Sequence, residues 1–364
     1  MKKLLIVLLA LTVLGVFAFA QDAAPTLVWG GSVNSGFAEV SNSAASTNVG
    51  QYYDYNSESG GRIRLQGAIN AADGNSGFQF RVENDGLGAT APVLNQAWAY
   101  GKFLDGMVKV EAGKLNNYAF STGDWACFGD HDGGLGALLS VTPMEGVAIG
   151  AYLPMPTGGT GYTSGTLQFA YTMKDVFTLV GGYTLSPLTT NTGDIYAGVV
   201  LKAIPNLAFD AELQLTKLAD SAPVLSGTTT IVEHAAYTMG AMTASIYAAQ
   251  WMYAAASSNL YYNFEPQVAY KVADPVTVAL IGNVYTYNQG ASGWNFLSPT
   301  DGISALTSIA GGSPVLAFGA GPNVQLSVGG FKVTIGDYYG IIPAFAGAAT
   351  TNINVFYTGF AYSF

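Results

Sequence analysis

Residues 352–364 read NINVFYTGFAYSF, and Phe356, Phe360, Tyr362 and Phe364 all fall on one parity of that run. An extended strand sends alternate side chains to opposite faces. One face is therefore aromatic, while Val355, Tyr357, Gly359, Ala361 and Ser363 make a smaller, mixed one. An apolar stripe carried to the last residue is costly in water, because termini fray and expose what they bear. The stripe predicts a non-aqueous neighbour, against the blander expectation of an ordinary amphipathic edge strand.

The first residues fit the same picture. Lys2 and Lys3 precede an apolar run from Leu4 to Phe17, and Ala18-Phe19-Ala20 supplies an A-x-A cleavage site before Gln21. This pattern predicts a secretory signal peptide over 1–20 and a mature domain over 21–364. A transmembrane anchor needs about 20 apolar residues, more than this run holds. No Cys follows the cleavage site, which argues against a lipid-anchored lipoprotein.

Half of the residues are hydrophobic and a tenth are charged, against about a quarter charged in soluble domains. The uncharged window Ala235 to Phe264, long enough for a membrane helix, is broken by Thr238, Met239-Gly240, Ser245 and Gln250, and reads as two strands around a tight turn. A hydrophobic chain without helices of membrane length satisfies its backbone in lipid by closing its sheet into a barrel. Loss of Lys2 and Lys3 would leave 11 Lys and Arg against 23 Asp and Glu, an acidic balance that argues against nucleic acid as a partner. The single Cys127 excludes an internal disulfide.

Alternation is clearest in RIRLQGAIN, where Arg62, Arg64, Gln66 and Asn70 oppose Ile63, Leu65 and Ile69. In FQFRVE, Phe78, Phe80 and Val82 oppose Gln79, Arg81 and Glu83; in FDAELQLTK, Phe209, Ala211, Leu213 and Leu215 oppose Asp210, Glu212, Gln214 and Thr216. Eighteen such runs, from 26–40 and 60–72 to 331–340 and 352–364, predict an all-β transmembrane antiparallel up-and-down barrel of about 18 strands. Weak patterning between Ser304 and Pro322 keeps 16 open. Short turns at Asp73-Gly74, Asp105-Gly106, Glu145-Gly146, Lys174-Asp175, Pro205-Asn206, Met239-Gly240, Asp274-Pro275 and Gly329-Gly330 alternate with long polar loops, notably 41–59, 116–133 and 289–313. Short turns on one side and long loops on the other predict periplasmic turns and outer loops.

The terminal aromatic strand resembles that of bacterial outer-membrane β-barrels, which finish on alternating aromatics and a terminal Phe. The resemblance implies an outer-membrane location and a role for Phe360, Tyr362 and Phe364 as the signal read by the barrel-assembly machinery. The strands LNQAWAYGKF and MVKVEAGKL, with Gly113-Lys114 opening the loop after them, resemble the pair leading into the constriction loop of general trimeric porins. That likeness implies a loop, about 116–133, folded into the lumen. In such porins a basic wall opposes acidic loop residues. Arg62, Arg64 and Arg81, with Lys109 nearby, would match the wall, and Asp124, Asp130 and Asp132 the loop. Glu83, Glu111, Asp210 and Glu212 are further inward charges by parity, and Glu83, Lys109 and Glu111 could pair with the arginines or mute the field between wall and loop.

Other constellations carry less. Asp130-His131-Asp132 holds metal-type ligands but lacks partners elsewhere, so no metal or other cofactor is expected. His234 has no evident partner, and Cys127 reads as a small buried hydrophobe. No G-x-S-x-G or H-E-x-x-H motif occurs, so catalysis is not expected. Trp29, Trp98, Tyr100, Trp251, Tyr253, Tyr261 and Tyr262 are expected in the interfacial girdles, with Trp98 and Tyr100 facing lipid or a neighbouring subunit. The expected function is passive diffusion of ions and small hydrophilic solutes through a water-filled pore, weakly cation-preferring, in a homo-oligomer such as a trimer. The rival readings are a surface-exposed structural or adhesive barrel with a closed lumen, and a soluble secreted β-protein.

Overall fold

The computed structural model describes residues 25–42, 45–51, 61–85, 92–115, 120, 122, 134–155, 165–186, 192–219, 228–253, 260–287, 315–344 and 349–364. The segments 1–20 and most of 116–133, with Asp124, Cys127, Asp130, His131 and Asp132, lie outside the described residues, as does 289–313.

The strands run β1 (Thr26–Asn42), β2 (Ala45–Gln51), β3 (Arg62–Asn70), β4 (Ser76–Asp85), β5 (Val93–Phe103), β6 (Val108–Lys114), β7 (Leu135–Met144), β8 (Val147–Pro154), β9 (Gly165–Met173) and β10 (Phe177–Ser186). They continue through β11 (Thr192–Leu201), β12 (Leu207–Ala219), β13 (Thr228–Met239), β14 (Met242–Tyr253), β15 (Leu260–Ala273), β16 (Val276–Tyr287), β17 (Val315–Val328), β18 (Phe331–Ile342) and β19 (Thr351–Ser363). Apart from β2 and β3, which both pair with β1, consecutive strands pair antiparallel, and β1 pairs with β19 from Ser32↔Ser363 to Asn42↔Ile353. The result is a closed 18-strand antiparallel barrel.

Nineteen segments make 18 staves because β2 and β3 lie end to end along one edge of β1: Thr26 to Asn34 meets β3, and Phe37 to Asn42 meets β2. The sequence pattern treats 41–59 as one loop, whereas 45–51 is strand. Its run ASTNVGQ has little two-residue alternation, so only the pairing with β1 reveals it.

Each predicted short turn is present. Gly240 and Gly329 take left-handed φ values of 58° and 57°, where a Cβ would be strained, so their hairpins close within two residues. The turns share one end of the barrel with Thr26 and Phe364: Phe364 exchanges two backbone hydrogen bonds with Gly31, of 3.1 and 3.2 Å, and Ser363 donates to Gly330 O at 2.9 Å.

Alternation divides the wall. The outer face is apolar and open, with Leu167 at 59% and Leu280 at 57% exposure among many Leu, Ile, Val and Phe. A contiguous apolar surface of that extent requires lipid or protein against it rather than water. The inner face carries the charges and a recurring packing unit: a Tyr ring laid over a Gly of the preceding strand, as with Tyr100 on Gly77, Tyr152 on Gly136, Tyr196 on Gly182 and Tyr357 on Gly336. Gly leaves the room a flat ring needs. The Gly336→Val variant should therefore lose about 1–3 kcal/mol by overpacking against the Tyr357 ring. Urea unfolding of the refolded barrel measures this, and a stability equal to that of the parent would refute the packing argument.

Candidate functional site

The inward charges gather where β3 and β4 meet. Register pairs Arg64 with Glu83 and Gln66 with Arg81, which puts Arg62, Arg64, Arg81 and Glu83 on the inner face of two neighbouring staves. Glu83 is the centre of the cluster. Its Oε1 lies 3.0 Å from Arg62 Nε, and its Oε2 lies 2.7 Å from Arg64 Nε and 3.1 Å from Arg81 Nε. Three guanidiniums thus share one carboxylate on this part of the wall. Arg64 is the most exposed of the three, at 29%, while Glu83 is almost wholly covered. Lys109 belongs to a different group: it pairs with Glu111 at 2.9 Å and lies 5.5 Å from the centre of the Tyr100 ring.

A second cluster lies across β9 to β13. Glu212, 2% exposed on β12, accepts hydrogen bonds from the Thr122 amide at 3.0 Å and the Thr122 hydroxyl at 2.6 Å. Gln168 on β9 accepts from the Phe120 amide at 2.6 Å and the Tyr196 hydroxyl at 3.1 Å. Phe120 and Thr122 lie six and eight residues beyond the end of β6, yet their partners stand on distant staves. Each also lies against a glycine: Gly150 beneath the Phe120 ring and Gly198 beneath the Thr122 methyl. Below Glu212 on the same strand, Asp210 meets His234 Nδ1 at 3.2 Å, so His234 has a partner that sequence alone did not supply.

The expected inward charges Arg62, Arg64, Arg81, Glu83, Lys109, Glu111, Asp210 and Glu212 thus lie on the inner face, though in separate clusters. Trp98 and Tyr100 differ from expectation. A register shift against Arg81 and Val82 pairs these with Gln96 and Leu94 and leaves Asn95 out of the ladder. This bulge resets the parity, so Trp98 and Tyr100 point inward and Ala97 and Ala99 outward. Trp98, 8% exposed, packs with Leu115, Leu138 and Tyr152 as an apolar floor next to the start of the 116–133 segment. Trp29 stays outward and meets Phe80 edge-on, with centroids 5.5 Å apart. Gln168 and Tyr196 were not singled out by the sequence, although Gln168 among the apolar residues of β9 is the kind of inward polar side chain that marks a contact. Among the described residues no group of three or more His, Cys, Asp or Glu could hold a metal ion.

Removing the carboxylate from the arginine cluster, as in Glu83→Gln, takes away the charge that the three guanidiniums share. The variant should unfold about 3 kcal/mol more easily, and Arg64→Gln much less so. Parallel urea titrations compare them, and equal losses would deny Glu83 its central place.

No protein-family model matches this chain, and no curated protein matches it by sequence. Solved structures do resemble its fold. Pseudomonas aeruginosa OprD superposes with a TM-score of 0.55 at 10% identity, covering 94% of this chain and 97% of that one. OccK11 (OpdR) of the same organism gives 0.52 at 10% identity, covering 93% and 95%, and OpdQ gives 0.51 at 9% identity, covering 93% and 98%.

Proposed function

We propose that this protein is an outer-membrane porin through which ions and small hydrophilic solutes diffuse passively, with weak cation preference. The observation that carries the reading is the grip of Phe120 and Thr122 on Gln168 and Glu212. Phe120 and Thr122 come after β6 in the chain and bond to the inner faces of β9 and β12, and in this reading the segment that carries them narrows the passage. A barrel of 16–18 strands is too wide for its own side chains to fill and encloses water. OprD, whose architecture this chain resembles, is an outer membrane protein.

In this reading residues 1–20 are a cleaved signal peptide and 21–364 the barrel. The loop 116–133 forms the constriction, with Asp124, Asp130 and Asp132 facing the wall of Arg62, Arg64 and Arg81. Glu83 offsets part of that wall's charge, so the overall acidic excess governs the selectivity and raises the local cation concentration. The protein is not an enzyme, and its partners are outer-membrane lipid, the barrel-assembly machinery, small hydrophilic solutes and further copies in a homotrimer.

Planar-bilayer recording of the refolded protein tests the reading. Stable channels whose conductance rises with salt are expected, and their absence at every voltage would favour the adhesive barrel. Liposome swelling with graded sugars separates the two as well, since a closed barrel passes none. Replacing Asp124, Asp130 and Asp132 with Asn should move the reversal potential toward anions, and an unmoved potential takes the loop out of the constriction.

Phe364 is proposed to act in assembly together with Phe360 and Tyr362. Its ring lies over Gly31 on the outer face and stacks on Tyr362, with centroids 6.1 Å apart. Deletion of Phe364 should slow insertion into vesicles while leaving the conductance of inserted channels unchanged. Normal insertion kinetics would reduce it to ordinary strand filler.

A further inference from the structure

The inner wall repeats a three-stave unit: an Asn or Gln on one strand, a Gly opposite it on the next, and a Tyr from the strand after that lying over the Gly. In Asn70–Gly77–Tyr100 the tyrosine hydroxyl donates to Asn70 Oδ1 at 2.9 Å. In Gln168–Gly182–Tyr196 it donates to Gln168 Oε1 at 3.1 Å. The amide oxygen and the phenol satisfy each other across the glycine.

Asn283–Gly319–Tyr338 brings the same residue types together and does not close: Gly319 pairs with Gly340, and Tyr338 reaches it from two residues away on β18. Asn283 pairs with Gly319, and the Tyr338 hydroxyl lies against Gly319, yet the amide oxygen and the phenol do not bond. Both residues are 1% exposed. Yet among the described residues neither Asn283 Oδ1 nor the Tyr338 hydroxyl has a hydrogen-bond partner. The amide is held from its other end, where Asn283 Nδ2 donates to Glu265 Oε1 at 3.4 Å. A buried acceptor without a partner costs about 1–3 kcal/mol, so a gap between two such groups calls for an occupant.

The ladders beside the unit are interrupted. Pairing between β15 and β16 stops at Phe264↔Val284 and resumes at Gln267↔Ile281, across Pro266. Pairing between β17 and β18 stops at Ala320↔Tyr339 and resumes at Asn323↔Gly336, across Pro322. Proline has no N–H to give a ladder, so the staves on either side of the unit are locally unlaced.

We propose that Glu265, Asn283 and Tyr338 form a binding site for a monovalent alkali cation on the inner wall of the barrel. The donors are a carboxylate, an amide carbonyl and a phenol, oxygen ligands suited to a hard cation. A single carboxylate balances a single positive charge, whereas a divalent ion would leave an uncompensated charge beside two buried neutral groups. Glu265 is only half-buried, so the site is entered from the lumen on its side. Binding does not require conduction: a closed barrel would hold the ion equally, and failure of one reading leaves the other standing.

Crystals of the refolded barrel soaked in rubidium chloride provide the test. Anomalous difference maps should show Rb⁺ between the Glu265 carboxylate, Asn283 Oδ1 and the Tyr338 hydroxyl, and the peak should vanish in Glu265→Gln. A bridging water without anomalous signal, or a peak that survives in Glu265→Gln, overturns the proposal. Thermal unfolding gives a second measure: replacing K⁺ by N-methylglucamine at equal ionic strength should lower the midpoint of the parent protein but not that of Glu265→Gln. Equal midpoints for the parent in the two salts overturn it as well.

Discussion

The whole molecule depends on one joint, the pairing of β1 with β19. A sheet facing an apolar surround cannot leave an edge, because every unpaired N–H and C=O there costs several kcal/mol. Eleven residue pairs close the wall between Ser32 and Asn42 on one strand and Ser363 and Ile353 on the other. The two hydrogen bonds between Gly31 and Phe364 carry that pairing to the last residue. An inner face distinct from an outer one exists only because this joint is made.

Within a closed wall, side-chain direction is set by counting. That is why so much of the fold is legible in the sequence: the two-residue alternation of Ile63, Leu65 and Ile69 against Arg62, Arg64 and Gln66, and the Gly and Asp turns that reset it, fix both the staves and their faces. Counting fails where the chain departs from an even ladder. Asn95 adds one residue and turns Trp98 and Tyr100 inward. β2 escapes notice because ASTNVGQ alternates too little to signal a strand.

The contacts of the inner face were legible only as candidates. Parity places Glu83 beside arginines but does not tell that it forms ion pairs with all three, nor that Glu212 serves Thr122 rather than a solute. Those partnerships depend on which staves face one another across the lumen, information held in the register and the closure rather than in any local run. The Tyr and Gly units were hidden for the same reason: each joins residues on three different strands. They also explain how a lumen wall can hold bulky aromatics, since a ring that lies flat in a glycine notch takes little of the bore.

The arginine cluster has a practical corollary. Arg62, Arg64 and Arg81 are the only arginines in the chain, and all three converge on one carboxylate inside the barrel. A guanidinium-selective reagent such as phenylglyoxal therefore meets a single patch on this protein, reached only through the bore. The molecule carries its own chemical reporter of whether its interior is open to a small uncharged solute, with the lysines left untouched.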